Sequence, residues 1–415
     1  MNEYDSAAVV EMLEMRGWKS SPENEAQVII VNTCAVRQNA ENRALGRLLT
    51  MARTHKDAIV GIIGCVAQEI GGELLEKYPE IAFAVGPGEI DRIPEIIQNL
   101  DRKPRLDVDR LTGCGLRAKV EEGDLKAFVA ISRGCENFCS YCIVPYVRGK
   151  LRGRPMSDII DEINRDVDLG VREITMLGQN VNSYVDPATG EDFAGLLEKA
   201  CDIAGLARIR FVTSHPRDMS DRIIDAIAYL PKVCEAIHLP VQSGSTRILQ
   251  AMNRGYSREY YLDLIDKIIH KIPDVALTTD IIAGFPGETD EDFLDTVSLY
   301  ERVGYASSFA FRYSVRPGTA AADFDDDVPE NVKISRLERI ITLGQKYAVK
   351  FSSSLIGKSR EILVEGESNK NPGMQYGYDR AGRRVLFDGK NRLRGSLIRV
   401  IITNADKWFI TGKIE

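Results

Sequence analysis

The hydrophobic pattern divides the chain into three stretches of different period. Up to about residue 110, helical spacing alternates with continuous apolar runs. Ser6 to Arg16 is helical, Gln27-Val28-Ile29-Ile30-Val31 reads as a strand, and 37–55 reads as a long helix. Ala58-Ile59-Val60-Gly61-Ile62-Ile63 and Phe83-Ala84-Val85 give two more strands. Continuous β-branched runs separated by helices predict an open parallel sheet in an α/β layer. A polar stretch from Asp101 to Asp124, with Pro104, Gly113, Gly115 and Gly123, reads as a linker. Beyond it, strand-like runs near Phe128, Ile174, Ile209, Ile237, Leu277 and Phe309 alternate with helical patterns. Six such units predict a partial, open parallel (β/α)6 barrel rather than a closed eight-stranded one. A helix over Val332 to Ser352 ends this region. The remainder changes to short apolar runs, at 362–364, 384–387, 397–402 and 408–410, between Gly, Asn and Asp turns, which predicts a small all-β barrel. The expected class is α/β, with domains at 1–112, 121–350 and 353–415. No long-period repeat is visible.

Composition narrows this only a little. A chain of 415 residues with 44% hydrophobic and 28% charged residues is of the globular type and long enough for two or three cores. No apolar run approaches the ~20 residues needed to cross a bilayer. The opening Met1-Asn2-Glu3-Tyr4-Asp5 lacks the basic-then-apolar form of a secretory signal, so a cytoplasmic location is expected. Residues 353–415 carry 5 Lys and 7 Arg against 7 acidic residues, so a net +5 tail sits on a body of −12. Contact with a polyanion should therefore be local.

The eight Cys lie at 34, 65, 114, 135, 139, 142, 201 and 234. Only 135, 139 and 142 are tightly grouped, and in a cytoplasmic chain such a group points to metal or redox chemistry. The segment ISRGCENFCSYCIVPYVRG places C-x3-C-x2-C directly after the first barrel strand. Three thiolates suit a four-iron cluster with one open iron. A closed zinc site, the rival reading, wants a fourth protein ligand, and the four His lie elsewhere in the sequence. Cys34 and Cys65 each fall just past a predicted strand, where open α/β sheets place ligands. Cys201 and Cys234 sit in apolar patterns and read as core thiols. Gln179 and Gln242 end the second and fourth barrel strands, where a cofactor's polar groups are met. His215 and His238 also lie at strand ends. Arg148, Lys150, Arg152 and Arg154 alternate, so an extended segment would present a strip of cations to phosphates.

The C-x3-C-x2-C loop at the start of a βα barrel resembles the radical S-adenosylmethionine superfamily. Further pieces resemble its methylthiotransferases, and among them the MiaB type that modifies tRNA. These are MNEYDS, VNTCAVR, LGQNVNSY, FVTSHP, HLPVQSGS, AMNRGYSREYY, DIIAGFPGET, FRYSVRPGTAA and GESNKNP, which together span nearly the whole chain. The resemblance implies S-adenosylmethionine and two [4Fe-4S] clusters. Cys135, Cys139 and Cys142 would hold the cluster that reduces the cofactor, releasing a 5'-deoxyadenosyl radical. Phe138 and Tyr141 would pack against its adenine. Cys34 and Cys65 would ligate an auxiliary, sulfur-carrying cluster. LGQNVNSY and FVTSHP resemble the branch acting on N6-isopentenyladenosine, where one cofactor molecule supplies the methyl group and a second activates C2 of the adenine. The tail resembles the TRAM module, an RNA-binding barrel of the oligonucleotide-binding type. Its Arg383, Arg384, Arg392 and Arg394, interleaved with Tyr376, Tyr378 and Phe387, would meet RNA backbone and bases.

The implied partners are a tRNA carrying N6-isopentenyladenosine, a flavodoxin- or ferredoxin-like electron donor and a sulfur donor, with the chain a monomer away from membranes. The family's auxiliary cluster takes three Cys, the first immediately before the MNEYDS segment with which this sequence opens. The expectation is therefore a first strand and a first ligand lying upstream, with Cys114 a weak substitute. Two alternatives stay open: a methylthiotransferase for threonylcarbamoyladenosine or a ribosomal protein, and a chain without a competent auxiliary cluster that only binds RNA or transfers electrons.

Overall fold

The computed structural model describes all residues except 36–37, 101–103, 109–115, 390–392 and 407–408. Four parallel strands, β1 (Val28–Thr33), β2 (Ile59–Gly64), β3 (Phe83–Val85) and β4 (Arg105–Asp107), form the first sheet in that order. Helices Asn2–Glu14, Gln38–Thr54 and Cys65–Lys77 accompany it. β4 lies inside the stretch read as a linker. Arg105-Leu106-Asp107 pairs with β3, and a three-residue edge strand with one apolar side chain leaves no apolar pattern to read.

The central sheet is the expected open array. β5 (Lys126–Ala130) leads into the short antiparallel pair β6 (Ser132–Arg133) and β7 (Arg152–Gly153). β8 (Glu173–Leu177) and β9 (Arg208–Phe211) run parallel to β5. A bridge between Ile209 and Val233 leads to β10 (Ala236–His238), β11 (Ala276–Ala283) and β12 (Ser307–Arg312), again parallel. Helices cover the outer face. In Met156–Asp168, Ile159 and Ile163 stand four apart, one turn above the other, and enter the same core as Val129 and Ile174. Helix Asp290–Val303 starts in a reciprocal cap between Thr289 and Asp292 and stops at Gly304 in the left-handed region, so the segment 284–289 delivers the chain into it.

The last strands, β13 (Ser359–Glu367), β14 (Met374–Asp379), β15 (Arg384–Asp388), β16 (Leu397–Ala405) and β17 (Ile410–Ile414), close into a barrel in the order 13-14-15-17-16. Closure removes the free edges. The barrel docks on the amino-terminal ends of the central strands. Lys126 pairs with Glu365, while Arg208, fully buried, reaches Glu361 at 3.0 Å and the Tyr378 carbonyl at 2.7 Å. Arg380 pairs with Glu235 at 2.7 Å. The cysteine loop follows the opposite, carboxyl end of β5.

Candidate iron–sulfur and cofactor site

Cys135, Cys139 and Cys142 follow β5 and β6 in a loop whose course is set by backbone geometry. Gly134 has φ +80°, and a Cβ there would stand 2.0 Å from the Lys150 carbonyl oxygen, so only glycine fits. Its N–H donates to Gln179 Oε1 at 2.6 Å, and the Cys135 N–H donates to the Gly149 carbonyl at 3.1 Å. Gln179 thus anchors the loop rather than standing free for a cofactor. The other side is held by residues 251–254. Ser140 donates from Oγ to the Ala251 carbonyl at 2.8 Å and from N to the Met252 carbonyl at 3.0 Å. Asn253 Nδ2 donates to the Phe138 carbonyl at 2.9 Å, and Arg254 Nη1 donates to Cys139 Sγ at 3.4 Å.

None of the described cysteines forms a disulfide. Burial pushes the Cys135 thiol up, and burial together with the neighbouring Cys139 pushes Cys142 up to about 12. Thiols placed this close ionise together only against a strong local positive charge, and the donor set fits a four-iron cluster. Among the described residues no three His, Cys, Asp or Glu side chains gather as ligands of one metal ion. The thiolates of a four-iron cluster bind separate irons.

The strand ends beside the loop also fit a polar cofactor. Ser132 Oγ, Asn180 Oδ1, Ser214 Oγ, His215 Nε2 and Gln242 Oε1 are buried without a hydrogen-bond partner in the protein. They follow β5, β8, β9 and β10 at their carboxyl ends, and such orphaned atoms are costly unless a ligand or water meets them. Gln242 adopts φ +72°, a left-handed conformation rare outside glycine, and its backbone bridges to β11. His215 accepts from the Arg217 N–H at Nδ1, and burial drives its pKa down to about 2, so the ring is neutral. His238 instead sits between Thr278 at 3.0 Å and Asp280 at 3.4 Å. Phe138 (φ +45°) is 47% exposed and meets Tyr146 edge to face. Tyr141 is different: it packs with Ile248, Met252, Phe285 and Tyr313 behind the loop. Packing claims its ring in place of a free adenine contact.

Cys34 and Cys65 are brought side by side. Thr33 pairs with Gly64 across β1 and β2, so each cysteine is the next residue after one member of that pair. Cys34 is half-buried and Cys65 is buried at the start of its helix. Ile143 and Val147, just past Cys142, pack into the core that holds Ala35, Cys65 and Val66, so the two cysteine groups lie on either side of one contact. Cys114 lies outside the described residues. Cys234 is buried and Cys201 packs against the central core, as expected of core thiols.

The cation strip does not form. Residues 144–148 are helical and Gly149 turns the chain at φ +73°, so Arg148 is off the extended stretch that holds β7, and the four cations share no common face. Arg148 and Arg154 are buried. Arg148 pairs with Asp5 at 3.2 Å, and Arg154 pairs with Glu162 at 2.7 Å beside Tyr4. Arg152 is half-buried and Lys150 exposed. In the terminal barrel, Arg383 donates to the Ala306 carbonyl at 2.6 Å and lies over Phe351, which spends it on the domain junction. Phe387 is fully buried in the barrel core and offers no ring to a base. Lys126 covers the Tyr378 ring at 4.0 Å. Arg384 stacks on Tyr376 at 4.3 Å, and Arg394 is exposed. Arg392 lies outside the described residues.

The sequence reading missed Asp5, Arg133 and Arg254. Asp5 is fully buried. Burial alone would raise its carboxyl, but Arg133 at 2.6 Å and Arg148 outweigh that and hold it below the usual carboxylate range. Asp5 sits within MNEYDS and Arg254 within AMNRGYSREYY, both quoted without a role for the charge.

Residues 129–300 match the radical SAM superfamily, and residues 1–86 match the uncharacterized protein family UPF0004. The tRNA-2-methylthio-N(6)-dimethylallyladenosine synthase of Clostridium perfringens (strain SM101 / Type A) is 45% identical over 100% of this chain and 95% of its own. The protein of that name from Carboxydothermus hydrogenoformans is 44% identical over 99% of this chain and 96% of its own. Among solved structures, the radical S-adenosylmethionine methyltransferase TsrM of Kitasatospora setae superposes with TM-score 0.58 at 14% identity, covering 89% of this chain and 76% of that one. The cobalamin-dependent radical enzyme OxsB superposes with TM-score 0.51 at 12% identity, covering 82% and 53%. At these identities the two structures speak to the fold alone.

Proposed function

The chain belongs to the radical S-adenosylmethionine methylthiotransferase family, and from that premise we propose that it converts N6-dimethylallyladenosine in tRNA to its 2-methylthio form. Identity of 41–45% over 99–100% of the chain to synthases named for that product carries the reading. Its cofactors are S-adenosylmethionine and [4Fe-4S] clusters. When bound, the reducing cluster supplies a single electron to S-adenosylmethionine.

The protein's part is to hold, orient and exclude. Cys135, Cys139 and Cys142 would hold the reducing cluster, with Gln179 and residues 251–254 fixing the loop. The orphaned polar atoms of Ser132, Asn180, Ser214, His215 and Gln242 would meet the cofactor's polar groups, and Phe138 its adenine. Behind the loop, Tyr141, Ile248, Met252 and Phe285 form an apolar wall that keeps water from the reacting centre. Adenine C2 carries hydrogen and no leaving group, so a shielded site suits the reaction. Cys34 and Cys65 would serve as ligands of the auxiliary cluster, close to the loop through Ile143 and Val147. Lys150, Arg384 and Arg394 remain as candidates for RNA contact. An external one-electron donor, a sulfur donor and a monomeric, cytoplasmic enzyme complete the reading. Among the described residues no helix is long and apolar enough to cross a membrane.

Two measurements test it. Hydrolysed tRNA from a strain lacking the gene should lose the 2-methylthio nucleoside, keep its N6-dimethylallyl precursor, and regain the product on complementation. A gain of unmodified threonylcarbamoyladenosine instead would overturn the substrate. Cys135→Ala in the anaerobically reconstituted chain should lose about four irons. Unchanged iron content would overturn the ligand assignment.

A further inference from the structure

We infer that Arg254 is the built-in counter-ion of the reducing cluster and sets its potential, a reading that rests on the assignment of Cys135, Cys139 and Cys142 as ligands. The side chain is 4% exposed. Its guanidinium is spread over four acceptors: Cys139 Sγ at 3.4 Å, Tyr141 Oη at 3.4 Å, Tyr256 Oη at 3.1 Å and the Pro240 carbonyl at 2.7 Å. Among the described residues no carboxylate pairs with it. Among the described residues, every other arginine buried to a similar degree is salt-bridged: Arg133 and Arg148 to Asp5, Arg154 to Glu162, Arg208 to Glu361, Arg316 to Glu41 and Arg336 to Glu288.

A guanidinium stays charged in any protein site, so burying one without an anion costs several kcal/mol. The anion that would balance Arg254 is the thiolate set beside it. Residues 251–253 also hold the loop, by neutral hydrogen bonds, so Arg254 is one tether among several and its charge can be tested apart from loop shape. Reduction adds an electron to a group already negative. A fixed cation and an N–H donor on the ligand sulfur stabilise the reduced form more than the oxidised one and raise the potential.

The test measures the midpoint potential of the reconstituted full-length protein by electron paramagnetic resonance, following the signal that responds to added S-adenosylmethionine. Arg254→Gln should keep its iron and shift the potential negative by at least about 59 mV, a tenfold change in a one-electron equilibrium. Arg254→Lys, which keeps the charge, should recover most of the shift. An unshifted Arg254→Gln, or an Arg254→Lys displaced as far, overturns the proposal. Should Arg254→Gln fail to hold iron while Arg254→Lys holds it, the counter-ion role stands and the potential is decided by Arg254→Lys, which should lie near the wild-type value and overturns the proposal if displaced by about 59 mV or more. Loss of iron from both, with unchanged folding by circular dichroism, assigns Arg254 to loop shape and overturns it. Cys135→Ala run alongside separates these outcomes from failure of the ligand assignment, which would leave iron in that variant.

Discussion

Arg148 donates from Nε to Cys65 Sγ at 3.2 Å while its Nη2 holds Asp5, so one buried guanidinium joins the N-terminal sheet to the helix that follows Cys142. Both cysteine groups are therefore mechanically linked through a single side chain. Arg148→Met should destabilise the protein by about 1.5–3 kcal/mol, the range for hydrogen bonds to charged groups. Arg133 remains on Asp5, which limits the loss. Chemical denaturation gives the energy, and limited proteolysis should show the N-terminal region opening first. Unchanged protection there would mean that Ile143 and Val147 alone hold the contact.

The Gly134–Gln179 hydrogen bond makes a second prediction. Gln179→Ala leaves a backbone N–H of the loop without its partner, at a cost of about 1–3 kcal/mol. The fold should survive, while the reconstituted cluster loses iron faster in air than in the wild type. Gly134→Ala should go further, because its Cβ would overlap a backbone oxygen and no iron should be retained. Iron release followed with a chromophoric chelator distinguishes the two, and equal stability of all three proteins would refute the anchoring role.

At the other end of the central strands, Arg208 is enclosed by Glu173, Glu361 and two carbonyls of the terminal barrel. Arg208→Met removes the partner of Glu361 and of the two barrel carbonyls, while Glu173 keeps Arg210 at 3.0 Å, so the loss should be about 1.5–3 kcal/mol, the range for hydrogen bonds to charged groups. The expected signature is a separate, earlier melting transition of residues 353–415 in calorimetry. A single shifted transition would show that the two units unfold together whatever the state of this pair.

Asp166 gives a pH test. Burial raises its pKa to about 6, with Arg165 opposing. A carboxyl raised above its unfolded value is protonated more readily in the folded chain, so the folded state binds the extra proton. Its stabilising effect is complete below the unfolded value of about 3.9 and is lost as pH rises through about 6. Asp166→Asn should therefore raise the melting temperature relative to the wild type at pH 7.5 and lose that advantage near pH 4. An advantage independent of pH would trace to packing rather than ionisation.

Much of the architecture was legible because apolar periodicity reports burial, and burial is what a strand or helix records in its sequence. All six central strands fall where runs around Phe128, Ile174, Ile209, Ile237, Leu277 and Phe309 placed them. β4 escaped because an edge strand needs only backbone pairing. The cysteine loop was legible because its donors are local in sequence, three thiols within eight residues.

Partnership across the chain left no such trace. Alternating basic residues look the same whether they face solvent or a buried acid, and only the fold, with Arg148 on a helix that ends at Gly149, brings Arg148 and Arg154 to Asp5 and Glu162. Arg383 was likewise settled by which barrel face meets the central domain, and Phe387 by pointing into the barrel's own core. By itself the sequence determined the class of fold, the cysteine triad and the family motifs, because each is written in spacing along the chain. Only the tertiary structure decided which cations are structural, that Gln179 anchors the loop, and that Arg254 stands alone against Cys139. Ion pairing depends on distance in space and on shielding from water, and neither is a property of neighbouring residues in sequence.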